Sequence, residues 1–223
     1  KIRADKAKLM GFDSYAAWYR QSGFYKEGAP WAGFLTFRSF FYNGQTRVDD
    51  AIIAGLEKRG YNVVIGFGYP EAEATERLLI SAKNIPPLVG VVSFLFRFSN
   101  FEAGKTLEKL GVPVFDVIAP HFSPKPGGPR GLSPFEVSWQ VAVPEIAGLI
   151  VPMVVGFQKE ALDKETGFRV RARTPVPERI ERMLDRFVAW HKLQTTPNAE
   201  KRVAFMYWNY PPGKEKIGAS YLN

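Results

Sequence analysis

Five residues carry reactive or charged groups in surroundings that demand an explanation. Arg38 sits within the apolar run Trp31 to Tyr42. A charge there needs either an ion-pair partner or a strand end open to water. Arg97 follows a second apolar run in the same way, in the stretch LFRFSN. Two guanidinium groups at the carboxyl ends of parallel strands would suit carboxylates, which they bind through two parallel hydrogen bonds. His121 lies in a loop rich in proline and glycine. It is either a metal or proton-relay group working near neutral pH or an ordinary loop residue. Glu145 follows Pro144 in WQVAVPE, where it either faces a cleft or caps the next segment's amides. Asn209 opens NYPPGK, a turn that either aims backbone amides at an anion or simply reverses the chain.

Composition removes several chemistries. The 223 residues include no cysteine and two histidines, His121 and His191. Disulfides, thiolate metal sites, iron–sulfur clusters, a thiol nucleophile and a His-rich cage are thereby excluded. His191 is expected on the surface of a late helix. No P-loop, GxGxxG, GxSxG or HExxH motif occurs. No apolar run is long enough to span a membrane, and a reducing, cytoplasmic setting is allowed. The net charge is +8, which invites a nucleic-acid reading. The distribution argues against one. Residues 1–38 hold seven basic and three acidic residues, 39–157 ten and eleven, and 158–202 eleven and seven. No block of five like charges appears, so the excess fits surface that meets an acidic partner or substrate.

The elements that would position these groups alternate. An amphipathic helix is expected over 13–27, then a buried strand from Trp31 or Ala32 to Tyr42. Thr46 caps a helix over 47–59, with Val48, Ile52, Ile53 and Leu56 on one face. Gly60 ends it, and a strand follows over 61–67. Further helices are expected over 71–83 and 101–110, with strands over 89–96 and 113–118. This order predicts an α/β fold: a doubly wound, mostly parallel sheet with helices on both faces, Rossmann- or flavodoxin-like. Residues 119–136 contain five prolines and three glycines and form a long loop. A strand over 137–143, an apolar segment over 146–157 and a charged surface hairpin or loop over 158–174 come next. A helix over 178–193 then presents Ile180, Met183, Leu184, Phe187, Val188 and Leu193. A strand over 202–210 and a helix start after it read as the opening of a second α/β unit. The expected organisation is a helical lead-in over 1–29, an α/β domain over 30–157, a basic linker and helix over 158–200, and that opening unit over 201–223. Such an ending, with no initiator methionine, is expected of a piece of a longer protein.

Three stretches in order carry a family resemblance. They are APWAGFLTFRS (29–39), LSPFEVSWQVAVPEIAGLIVPMVVG (132–156) and the run from TPVPERIERM to IGASYLN (174–223). Together they resemble the large subunit of cobaltochelatase, CobN, and the H subunit of magnesium chelatase, over nearly the whole chain. The resemblance implies an internal segment of a very large subunit that inserts Co²⁺ or Mg²⁺ into a cyclic tetrapyrrole. It implies as partners the rest of that subunit, an AAA+ ATPase, an adaptor subunit and the tetrapyrrole, with ATP bound on the partner. No cofactor is expected on this segment alone. The family's metal-insertion residues are expected downstream of NYPPGK, so no catalytic residue and no metal ligand is assigned here. Details of NYPPGK and WQVAVPE resemble the cobalt type more. A flat ring edged with carboxylates needs aromatic surface and basic groups. Arg38, Arg97, His121, Glu145 and Asn209 are the expected contacts. The alternative is a non-enzymatic α/β module that binds a small anionic ligand or a protein.

Overall fold

A computed structural model describes residues 25–68, 71–76, 87–95, 101–120, 131–162, 164 and 167–206. Five strands form one parallel sheet: β1 (Trp31–Thr36), β2 (Asn62–Phe67), β3 (Leu88–Ser93), β4 (Val114–Ile118) and β5 (Ile150–Val154). Their spatial order is β2-β1-β3-β4-β5, with every neighbouring pair parallel. That is the flavodoxin-like arrangement, so the expected α/β class holds. All six residues of β1 are buried, because a central parallel strand is covered on both faces. At the β5 edge, a one-residue bulge shifts the register between Phe115↔Ile150 and Val117↔Met153. Exposed Pro152 sits in that bulge, where proline costs no ladder bond.

Alternation along the strands makes two cores. On one face Ala32, Phe34, Val63, Val92, Phe115 and Val117 meet the helix over Arg47–Lys58, α2, the second after β1. Helix α2 (Arg47–Lys58) contributes Val48, Ile52 and Leu56, the stripe expected from their spacing. Helix α7 (Pro177–Thr195) adds Ile180, Met183, Leu184 and Phe187 to the same core. On the other face Trp31, Leu35, Val64, Val91 and Val114 meet Leu107 of α4 (Phe101–Leu110). Phe187 reaches the sheet where Gly90 leaves room: a Cβ on Gly90 would stand 2.8 Å from its ring. Tyr61 packs edge-on against Phe187, at 5.3 Å between centroids, and meets His191 Nδ1 through its hydroxyl at 2.9 Å. His191 is thus half-buried and hydrogen-bonded rather than a bare surface group.

Several expectations are corrected. The run Trp31 to Tyr42 is not one strand: β1 ends at Thr36, and α1 (Arg38–Tyr42) follows as a single helical turn. The ladder with β2 ends at Thr36, opposite Phe67, and the chain curls after it. Thr46 stands at the start of α2 but makes no side-chain cap. Residues 137–143 are helical, not extended. Ser133 and Glu136 form a reciprocal capping box, with Pro134 at the first helical position. They start α5 (Pro134–Val137), which runs through a π turn (Ser138–Ala142) into α6 (Val143–Ile146). Over 158–200, by contrast, the expected hairpin and helix are found: β6 (Gly156–Leu162) pairs antiparallel with β7 (Arg169–Pro175), and α7 follows and packs into the core. Helix α3 (Glu71–Thr75) begins the helix expected over 71–83, whose remainder, like residues 13–24, lies largely outside the described residues.

The chain divides into compact units at residues 1–191 and 192–223. The second holds the last turn of α7, a 3₁₀ turn (Asn198–Glu200) and an irregular exposed stretch to Met206. The strand expected from Arg202 is absent over 202–206, because no described backbone pairs with it. The remaining residues of that expectation lie outside the described ones.

Phe187→Ala empties the contact between α7, Gly90 and Tyr61. It is expected to lower unfolding free energy by about 3–5 kcal/mol, measured by urea denaturation. A loss under about 1 kcal/mol would mean that α7 is not part of the core.

Candidate functional site at the carboxyl edge of the sheet

The helices after β1 and β3 cover opposite faces, so the chain leaves these neighbouring, paired strands in opposite directions at their carboxyl ends. A crevice opens there, and open α/β sheets bind ligands in such a crevice. Here it is occupied by the chain itself. β5 runs directly into the β6–β7 hairpin, and Arg173 of β7 projects into the space beside β1 and β3. Its Nη1 donates to Asp49 Oδ2 at 2.9 Å and to the Gln45 carbonyl at 3.2 Å. Thr36, at the end of β1, donates its hydroxyl to Asp49 Oδ1 at 3.4 Å. The guanidinium carbon lies 3.7 Å from the Phe40 ring centroid and 4.4 Å from that of Phe94. Phe94 follows β3 and packs edge-on against both Phe34 and Phe40.

This arrangement is buried and charged. Arg173 is 1% exposed and Asp49 5%. Burial pushes the Asp49 carboxyl up to about 6, and the neighbouring Arg173 pulls against that rise. Burial also lowers the Arg173 pKa, and Asp49 opposes that shift. Among the described residues only Nη1 of the guanidinium is used, and Nε and Nη2, both buried, have no hydrogen-bond partner. The hairpin is held close by more than the ion pair. Gln45 Nε2 donates to the Arg171 carbonyl at 3.0 Å. Gly156 lets β6 approach α2, since a Cβ there would stand 2.9 Å from Val48 and from the Thr174 carbonyl.

Outside this buried centre lies an open aromatic rim. Arg38, the first residue of α1, is exposed. Phe41 and Tyr42 are 48% and 59% exposed. Phe41 contacts Tyr42 and Phe67, the last residue of β2, at 6.1 and 6.0 Å between centroids. A flat apolar group with an anionic edge finds here ring faces and a guanidinium.

Of the residues singled out in the sequence, Arg38 is the one described at this edge. Arg97, His121 and Asn209 lie outside the described residues. Glu145 is exposed on α6, in the segment entering β5 from its amino end. The structure therefore does not bring Glu145 together with Arg38. Asp49 and Arg173 were missed. Asp49 had a signal: it lies three, four and seven residues before Ile52, Ile53 and Leu56, on the apolar stripe. Arg173 had little, because Arg169 and Arg171, on the same strand face, are exposed and pair with Glu160. Among the described residues no group of three His, Asp or Glu side chains could hold a metal ion. Among them, too, no helix is long and apolar enough to cross a membrane.

Comparison with known proteins is consistent across sequence and structure. The sequence family described as CobN/Magnesium Chelatase matches residues 3–223. The magnesium-chelatase subunit ChlH of rice, Oryza sativa subsp. indica, is 29% identical over 210 residues, covering 87% of this chain and 15% of its own length. The aerobic cobaltochelatase subunit CobN of Sinorhizobium sp. is 26% identical over 197 residues, 85% of this chain and 16% of its own. Among solved structures, the catalytic subunit of cobaltochelatase from Mycobacterium tuberculosis superposes with a TM-score of 0.63 at 22% identity. That match covers 86% of this chain and 17% of the neighbour's. At that identity it speaks for the fold. The chain thus spans about a sixth of the length of these relatives.

The raised Asp49 pKa has a pH consequence. The folded chain holds this proton more tightly than the unfolded chain does. The contribution to stability is therefore full below the unfolded value of 3.8 and is lost as pH rises through about 6. Asp49→Asn removes this titration. The stability of the parent chain relative to that variant is expected to fall by about 2–3 kcal/mol between pH 4 and pH 7. Urea midpoints across that range measure it, and a constant difference would place the Asp49 pKa at its ordinary value.

Proposed function

The chain belongs to the CobN/magnesium chelatase family, and from that premise we propose that it is a segment of a chelatase large subunit whose carboxyl sheet edge lines the tetrapyrrole cleft. The observation that carries the reading is the exposed set of Phe41, Tyr42 and Arg38 at the place where this fold type binds ligands. The rings offer stacking surface to the macrocycle, and Arg38 meets a peripheral carboxylate. Arg97 and His121, which follow β3 and β4 in sequence, are further proposed tetrapyrrole contacts. In this reading Co²⁺ or Mg²⁺ is substrate, delivered to the ring by parts of the subunit outside this segment. ATP is hydrolysed on AAA+ and adaptor partners, and the complex works in the cytoplasm. The segment alone is a scaffold and binding surface without catalytic activity.

Titrating the 223-residue chain with a carboxylated porphyrin and with a carboxylated corrin tests this. Quenching of its five tryptophans is expected to saturate with half-effect at about 1–50 μM. Arg38→Ala and Phe41→Ala are each expected to weaken binding about three- to tenfold. Absence of quenching at about 100 μM, or full binding by both variants, would remove the edge from the cleft.

A further inference from the structure

The orphaned edge of Arg173 points to a second, smaller site that does not depend on the tetrapyrrole reading. A guanidinium presents five N–H donors in a planar fork. Arg173 spends Nη1 on Asp49 and the Gln45 carbonyl. Nε and Nη2 form the side-on edge of the fork, the pair that takes both oxygens of a carboxylate at once. Here both are buried and without a hydrogen-bond partner among the described residues. Buried donors are nearly always satisfied, so an unmet pair in an otherwise tight site is a place where an acceptor would be held strongly. The site is also built. Phe40 and Phe94 lie against the guanidinium and strip it of water, which strengthens any charge-assisted bond made there. It stands at the β1/β3 switch point, where doubly wound sheets hold ligands.

We propose that the side-on edge of Arg173 is an oxyanion subsite that takes one carboxylate group of a small ligand. Charge selects a carboxylate over a phosphate dianion. Asp49 already balances one positive charge, and Asp50 stands beside it in sequence. A monoanion leaves a smaller excess of negative charge in the crevice than a dianion does. Space selects a small group, because the crevice is closed around Arg173. The cover carried by α1 is the one most easily moved: α1 is a five-residue turn with no buried residue and no side-chain cap.

The test uses the 223-residue chain with acetate as probe, inorganic phosphate as the competing oxyanion and chloride at matched ionic strength. The Nε–H resonance of Arg173 reads the site directly by NMR, without any substitution. Acetate is expected to shift it saturably, with half-saturation on the order of 1–50 mM, the range open to so small a ligand. Arg173→Lys keeps a cation for Asp49 but lacks the side-on edge. It is expected to weaken acetate binding at least tenfold, followed by shifts of the Phe40 and Phe94 ring signals. Phe40→Leu, which opens the cover and keeps Arg173, is expected to leave acetate bound. A linear shift that chloride reproduces would overturn the proposal. So would equal acetate binding by Arg173→Lys, or saturation by phosphate with none by acetate. Failure here would leave the aromatic rim untouched, since porphyrin quenching through Phe41 and Tyr42 is read separately.

Discussion

A guanidinium and a carboxylate buried together cost several kcal/mol each to dehydrate, and only close, well-aimed contacts return it. The Arg173–Asp49 pair makes one such contact, at 2.9 Å, and leaves one side of the guanidinium unmet among the described residues, so its placement is demanding and fixes much around it. Asp49 belongs to α2, which packs on one face of the sheet, whereas Arg173 belongs to a hairpin that leaves β5 at the far edge. Joining them draws the hairpin back across the carboxyl ends to β1. Thr36, Gln45 and Gly156 are the local adjustments: a hydroxyl for the second carboxylate oxygen, a carbonyl for Nη1, and an absent side chain where β6 nears Val48. The aromatic pair Phe40 and Phe94 excludes water, which strengthens the pair and raises the cost of breaking it.

This constraint also divides the ligand edge in two. Beneath is a dry centre, with its charge compensated except along one side of a guanidinium. Above is the open rim of α1, where Arg38, Phe41 and Tyr42 face solvent. A doubly wound sheet usually leaves its switch point open, and here the hairpin's arginine fills it. A broad flat ligand would therefore lie on the rim rather than enter the sheet. That is what the proposed cleft-lining role would require, and the relatives this chain matches are about six times its length.

The sheet was legible in the sequence because parallel strands between helices read as apolar runs, and α2 and α7 as stripes. Legibility failed where local signals competed. The run Trp31 to Tyr42 stays aromatic across a strand and a helical turn, so composition could not mark the break after Thr36. Ser133-Pro134-Phe135-Glu136 did carry a helix-start signature, but the apolar residues after it suggested a strand. The site was less legible still. Arg38 stood out as a charge in an apolar run, and it does reach the carboxyl edge. Arg173 looked like one of several surface arginines, because its burial depends on a contact 124 residues away. Asp49 looked like ordinary acid in a helix's first turn. Glu145 drew attention through Pro144 and an expected strand, and the helix found there carries it to the other end of β5.

The central claim is that Arg173 and Asp49 act as one unit that ties the hairpin to the sheet. A double-mutant cycle with Asp49→Asn, Arg173→Met and both together, read by urea unfolding at pH 7.5, tests it most directly. The account predicts that each single change costs about 3–5 kcal/mol and that the two together cost less than their sum by at least about 2 kcal/mol. Additive losses, with coupling under about 0.5 kcal/mol, would contradict it.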